Sequence, residues 1–186
     1  MIWLSRPAFI CAIALGLLAL PFITTKTGEA EVTPHIVQLQ KFSVMGYEIR
    51  TTNAREMTKE GQIGPLWDRF RRENLLDKIP NKVDSNIVVV YSNYESDKDG
   101  AYSYLIGAKV GTISPVPPGM AAGTVPAGRY TIFTSERGPV AKVVIETWQR
   151  ILAVPKSEPG GQRAYKSDFE IYDQRAADPQ NSQVDI

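Results

Sequence analysis

The segment Asp168-Phe169-Glu170-Ile171-Tyr172 alternates two carboxylates and a phenol with two apolar side chains. In a strand, Asp168, Glu170 and Tyr172 would share one face, and Phe169 and Ile171 the other. A carboxylate standing among tyrosines has two uses. Ionised, it attracts a cation, and nearby aromatic faces add a cation–π attraction of about 0.5–2 kcal/mol. With its pKa raised by desolvation, it transfers protons as a general acid or base. The first use makes a ligand site in which Glu170 supplies charge while Tyr172, Tyr102, Tyr104 and Trp148 supply walls. The second makes Glu170 and Tyr172 the catalytic pair of a metal-free hydrolase. The residue types offer no way to choose between them.

Counting closes other routes. One histidine, His35, and one cysteine, Cys11, leave no set for a zinc cluster, a disulfide or a catalytic triad. No metal and no cofactor is expected. The 21 Lys+Arg balance 20 Asp+Glu, so no basic excess is available for phosphates, and nucleic acid is not the expected partner. A small molecule is.

The elements that must position these side chains follow from periodicity. Residues 35–50 mix alternation with β-formers and read as one long strand, bulged at Gly46. Ile63, Leu66, Trp67 and Phe70 fall at helical spacing, which predicts a helix over about 61–74, with Asp68 and Arg72 as a pair on its wet side. Residues 86–91 and 102–110 read as strands. The pattern then recurs, with a strand over 129–134, a helix over about 138–153, a strand over 164–172 and the start of another at 183–186.

An 81-residue step carries Trp67 onto Trp148, Tyr91 onto Tyr172 and Val89 onto Glu170. The chain therefore reads as a duplicated strand–helix–strand–strand module, an α+β fold. Its antiparallel sheet would carry two helices on one face and a ligand cleft on the other. Module 1 spans about 35–110 and module 2 about 129–186. Residues 111–128 hold four prolines and four glycines and read as a linker unable to continue a strand. Within 168–172, Phe169 and Ile171 are expected to face the helices and Glu170 to face away. Trp67 and Trp148 fit a core position as well as a pocket wall.

Residues 1–30 read as a targeting segment. Arg6 precedes an apolar run ended by Pro21, and Gly28 and Ala30 fit cleavage after Ala30. The run is also nearly long enough to remain as a membrane anchor. In either case the remainder is expected outside the cytoplasmic membrane, periplasmic or anchored facing out. Membrane contact would then come only through residues 1–30 if they are uncleaved.

Five segments together resemble the GyrI-like small-molecule-binding domain, also the effector-binding domain of AraC-type and MerR-type bacterial regulators. They are Gly46-Tyr47-Glu48-Ile49-Arg50-Thr51, Ile63-Gly64-Pro65-Leu66-Trp67-Asp68-Arg69-Phe70, Val90-Tyr91-Ser92-Asn93-Tyr94-Glu95, Val125-Pro126-Ala127-Gly128-Arg129-Tyr130 and Asp168-Phe169-Glu170-Ile171-Tyr172. They run in family order over about residues 35–186. The resemblance implies a duplicated fold whose cleft receives an amphipathic or cationic compound, with Glu170 touching the ligand. It also implies hydrolysis of strained-ring toxins as the alternative, as in some stand-alone members. A signal-like segment stands where regulators of this type carry a DNA-binding module, so a stand-alone exported binding protein is expected.

Overall fold

The computed structural model describes residues 34–158 and 161–186. The targeting segment expected at residues 1–30 lies outside the described residues. The expected α+β class is the one observed.

Strand β1 (His35–Leu39) is followed by β2 (Phe42–Thr51), the short helix α1 (Asn53–Glu56), α2 (Ile63–Arg72) and the short α3 (Leu75–Lys78). Then come β3 (Ile87–Ser92), β4 (Tyr102–Val110), β5 (Ala121–Val125), β6 (Gly128–Ile132), α4 (Val140–Ala153) and β7 (Ser167–Tyr172). The main sheet is antiparallel in the order β5-β2-β4-β3-β7, and β1 pairs with β6 in a separate two-stranded sheet.

Residues 35–50 are thus two strands with different partners. The break falls at Gln40–Lys41 and no bulge forms at Gly46, because β2 keeps one register with β4 from Ser43↔Val110 to Thr51↔Tyr102. The proline-rich stretch is also corrected. Its prolines lie outside Ala121–Val125, and that segment pairs with β2 as an edge strand. An edge needs only one ladder, which small residues can supply.

The chain end extends the sheet. Ile171 N–H donates to Asp185 O at 2.8 Å, while Phe133 and Ile186 exchange backbone bonds of 2.8 and 3.0 Å. Residues 184–186 therefore lie between β7 and residues 133–135, as β4 lies between β3 and β2. The second module repeats the strand order of the first.

Both faces of the main sheet are covered. On one, Leu66 and Phe70 of α2 pack with Met45, Tyr47, Val89, Tyr104 and Ile106. On the other, Leu39 and Tyr130 of the small sheet pack with Val44, Val88, Val90, Leu105, Val125 and Phe169. A carboxylate sets the start of α2. Glu56 accepts from the Gln62 and Ile63 N–H groups at 3.0 Å, satisfying first-turn donors that the Gln62 side chain leaves free. Asp68 pairs with Arg71 at 2.8 Å rather than with Arg72.

Candidate functional site

Strands β3 and β7 are neighbours, and Val89 is the direct partner of Glu170. These two residues are also mates under the 81-residue step, so the axis relating the modules passes between them. Antiparallel pairing of duplicated strands puts the acid at the centre of the duplicated unit, with one repeat helix on each side.

The facing of β7 is the reverse of the expectation. Glu170 and Tyr172 lie on the helix side with Val89, Tyr91 and Tyr104, while Phe169 and Ile171 pack toward the small sheet. Alternation identifies which residues share a face but not which face carries the helices. Phe169 and Ile171 find an apolar cover in Leu39, Phe42 and Tyr130, a cover made by strands distant in sequence.

Glu170 is 1% exposed. One carboxylate oxygen, Oε1, accepts from Tyr91 OH at 2.7 Å and Trp148 Nε1 at 2.6 Å, and Oε2 accepts from Tyr172 OH at 2.7 Å. All three donors are neutral. Among the described residues no cationic side chain forms an ion pair with Glu170. Burial raises its pKa, and the bonds from Trp148, Tyr172 and Tyr91 act in the opposite direction. The Tyr172 hydroxyl is itself held well above its ordinary pKa, first by burial and then by the Glu170 charge. It therefore serves as a hydrogen-bond donor and not as a phenolate base.

The aromatic groups interlock around this acid. Trp67 meets Tyr172 at 5.1 Å between ring centroids and 67° between planes, and Trp148 meets Tyr91 at 5.1 Å and 64°. The 81-residue step turns one pair into the other, so the repeat is present in side-chain geometry as well as in strand order. Trp67 Nε1 donates to Tyr104 OH at 2.8 Å, where Trp148 Nε1 donates to Glu170. Tyr104 stands edge-on to Tyr91 at 5.1 Å, and Tyr102 lies 5.5 Å from Tyr91 with its hydroxyl on Asn53 Oδ1 at 3.1 Å.

The structure brings all five residues proposed from sequence, Glu170, Tyr172, Tyr102, Tyr104 and Trp148, into one cluster. It adds Tyr91 as a direct partner of the acid and Trp67 as the mirror of Trp148. It also adds a rim of Tyr94, Asp168 and Arg163, in which Arg163 Nη2 donates to Asp168 Oδ2 at 2.6 Å. Tyr91 could have been found from the 81-residue step, because repeated strands that pair across an axis bring their mates together. Arg163 carries no such signal.

The wall is closed over the acid. Tyr91, Trp148 and Tyr172 together take up three of the roughly four acceptor positions of the carboxylate.

Residues 35–186 match the family model of Cass2, described as an integron-associated effector binding protein. The chain is 36% identical over 153 residues to YobU of Bacillus subtilis (strain 168), named as a candidate transcriptional regulator, covering 82% of this chain and 94% of YobU. It is 35% identical over 154 residues to the transcriptional regulator BrlR of Pseudomonas aeruginosa, covering 81% of this chain and 53% of BrlR. It therefore spans about half the length of that second relative. Among solved structures it is similar to an integron cassette protein from the mobile metagenome of Vibrio cholerae. That match has a TM-score of 0.61 and 30% identity, covering 82% of this chain and 94% of the other. It shares its fold with SAV2435 bound to tetraphenylphosphonium, with a TM-score of 0.66 and 17% identity, covering 83% of this chain and 92% of the other.

Proposed function

The chain belongs to the Cass2 family of integron-associated effector binding proteins, and from that premise we propose that it binds small amphipathic cations through Glu170. The observation that carries this reading is a buried carboxylate held by three neutral donors, with no cationic partner among the described residues. An isolated buried charge is costly. A ligand that brings a diffuse positive charge with apolar surface neutralises it without needing much hydration of its own.

Tyr91, Tyr172 and Trp148 supply ring faces once their donors are released, with Tyr102 and Tyr104 behind them. Apolar contact gives most of the affinity in such a pocket, and the acid selects for charge. The cation bound to the fold relative SAV2435, with its charge screened by four aryl groups, is of this kind.

The test is a titration of the full chain with tetraphenylphosphonium against neutral triphenylphosphine oxide. The cation should raise the melting temperature and the neutral compound should not. Glu170→Gln should weaken cation binding by about 30-fold or more, the lower end of the range for losing one partner of a buried charge pair. Equal binding by the variant overturns the assignment.

The reading extends to location. Without residues 1–30, 19 basic and 19 acidic side chains remain, a neutral domain suited to a small-molecule ligand. With residues 1–30 as a signal or anchor, this ligand is met outside the cytoplasmic membrane. Fractionation of cells producing the full chain should recover it from the periplasm or membrane, and the chain lacking residues 1–30 should stay in the cytoplasm. Full-length protein confined to the cytoplasm would refute export.

A further inference from the structure

The rim of the aromatic cluster already holds a cation, and it comes from the chain itself. Arg163 lies between α4 and β7. Its guanidinium carbon is 4.5 Å from the Tyr165 ring centroid, 5.2 Å from that of Trp148 and 5.9 Å from that of Tyr94. Nη2 donates to Asp168 Oδ2 at 2.6 Å and to the Tyr94 hydroxyl at 3.2 Å, and the Tyr94 hydroxyl donates to Asp168 Oδ2 at 2.7 Å. The side chain is only 11% exposed. Its Nε has no hydrogen-bond partner among the described residues, so the guanidinium is held by one edge and by ring faces. Three aromatic faces with one carboxylate are the composition of a cation-binding cage.

The cage adjoins the Glu170 cluster through a shared wall. The Trp148 ring meets Arg163 while its N–H binds Glu170, and Asp168 stands two residues from Glu170 on the same face of β7. A ligand that moves Trp148 off the carboxylate must also disturb the packing of Arg163 on that ring. Like charge adds to the conflict, because a cation arriving at Trp148 meets the guanidinium.

We infer that Tyr94, Trp148, Tyr165 and Asp168 form a second cation subsite, suited to guanidinium or alkylammonium groups, and that Arg163 is its resident occupant, displaced when a cationic ligand enters. The displacement rests on the Glu170 reading above, whereas the subsite itself does not. Its consequence is quantitative. Apparent affinity is the intrinsic affinity scaled by the fraction of molecules with the site free, so a tethered competitor lowers affinity for every cationic ligand and favours those able to fill both subsites.

Two measurements on the full chain test this. In Arg163→Ala, ethylguanidinium at millimolar concentration should raise the melting temperature saturably. Wild type should need about tenfold more of it for the same rise, and adding Asp168→Asn to the variant should abolish the rise. Arg163→Ala should also bind tetraphenylphosphonium about tenfold more tightly than wild type, the gain from removing a competitor that occupies about 90% of molecules. No rescue by ethylguanidinium overturns the subsite, and unchanged or weaker tetraphenylphosphonium binding overturns the displacement, with the Glu170 assignment left standing in both cases. Rescue in a protein that binds no tetraphenylphosphonium in either form overturns the Glu170 assignment and keeps the subsite. If Arg163→Ala does not fold, Arg163→Lys replaces it, because an ammonium lacks the planar fork that holds Asp168. Its affinity for tetraphenylphosphonium should rise about threefold, and a lysine variant no tighter than wild type overturns the displacement.

Discussion

Glu170 gives the site its charge and makes that charge depend on pH. Burial raises the pKa in the folded chain above the ordinary 4.5. Between those two values the native state binds more protons than the unfolded state, so stability falls as pH rises through the window and levels off above it. In a melting-temperature series, Glu170→Gln should be flat across this window apart from the contributions of other groups. Its advantage over wild type should widen as pH climbs from about 4.5. Cation affinity has the opposite sign, because only the carboxylate attracts the ligand. In wild type it should strengthen through the same window and then become constant, and in the variant it should not change. Identical profiles for the two proteins would mean that Glu170 does not titrate there. The alternation of 168–172 made Glu170 and Tyr172 readable as a pair, because strand period is a local property. That Tyr91 and Trp148 cap the acid could not be read locally, since those contacts join positions 79 and 22 residues away.

Among the elements, β2 and β4 form the longest ladder, and Gly46 opposes Gly107 within it. A Cβ on Gly46 would stand 1.9 Å from the Ile106 carbonyl oxygen, and one on Gly107 would stand 1.8 Å from that of Met45. Both obstacles are backbone, so no side-chain rotation relieves them. Gly46→Ala should therefore cost about 3 kcal/mol, at the upper end of overpacking penalties. A denaturant midpoint within error of wild type would show that the strands can separate there. Sequence placed β4 at its observed bounds and both long helices within two residues of theirs, because their patterns are long and regular. It joined β1 to β2 and missed β5. Strand patterns do not reveal a change of partner, and the prolines around 121–125 obscured a short edge strand.

At the scale of the whole molecule, the duplication organises the fold. It pairs Val89 with Glu170 on its axis and sets Trp67 against Tyr172 as Trp148 is set against Tyr91. It also explains why the chain end matters. Residues 184–186 fill in module 2 the position that β4 fills in module 1, and Val184 is fully buried there, with its N–H on Ser135 Oγ at 2.9 Å. Val184→Ala should cost about 2 kcal/mol, the scale for losing two buried methyl groups with partial collapse of the cavity. A denaturant midpoint within error of wild type would show that the cavity closes completely.

The repeat, the aromatic complement and the acid that faces a hydrocarbon in its sister module are written in residue types and spacings, which act through covalent connectivity and the fixed periods of strand and helix. The side of the sheet on which the acid stands, the three donors that cap it and the arginine lodged at its rim depend on contacts between distant segments. Those contacts exist only in the packed chain, in which β1 pairs with β6 and covers the opposite face, because burial and pairing are properties of the whole and not of any stretch within it.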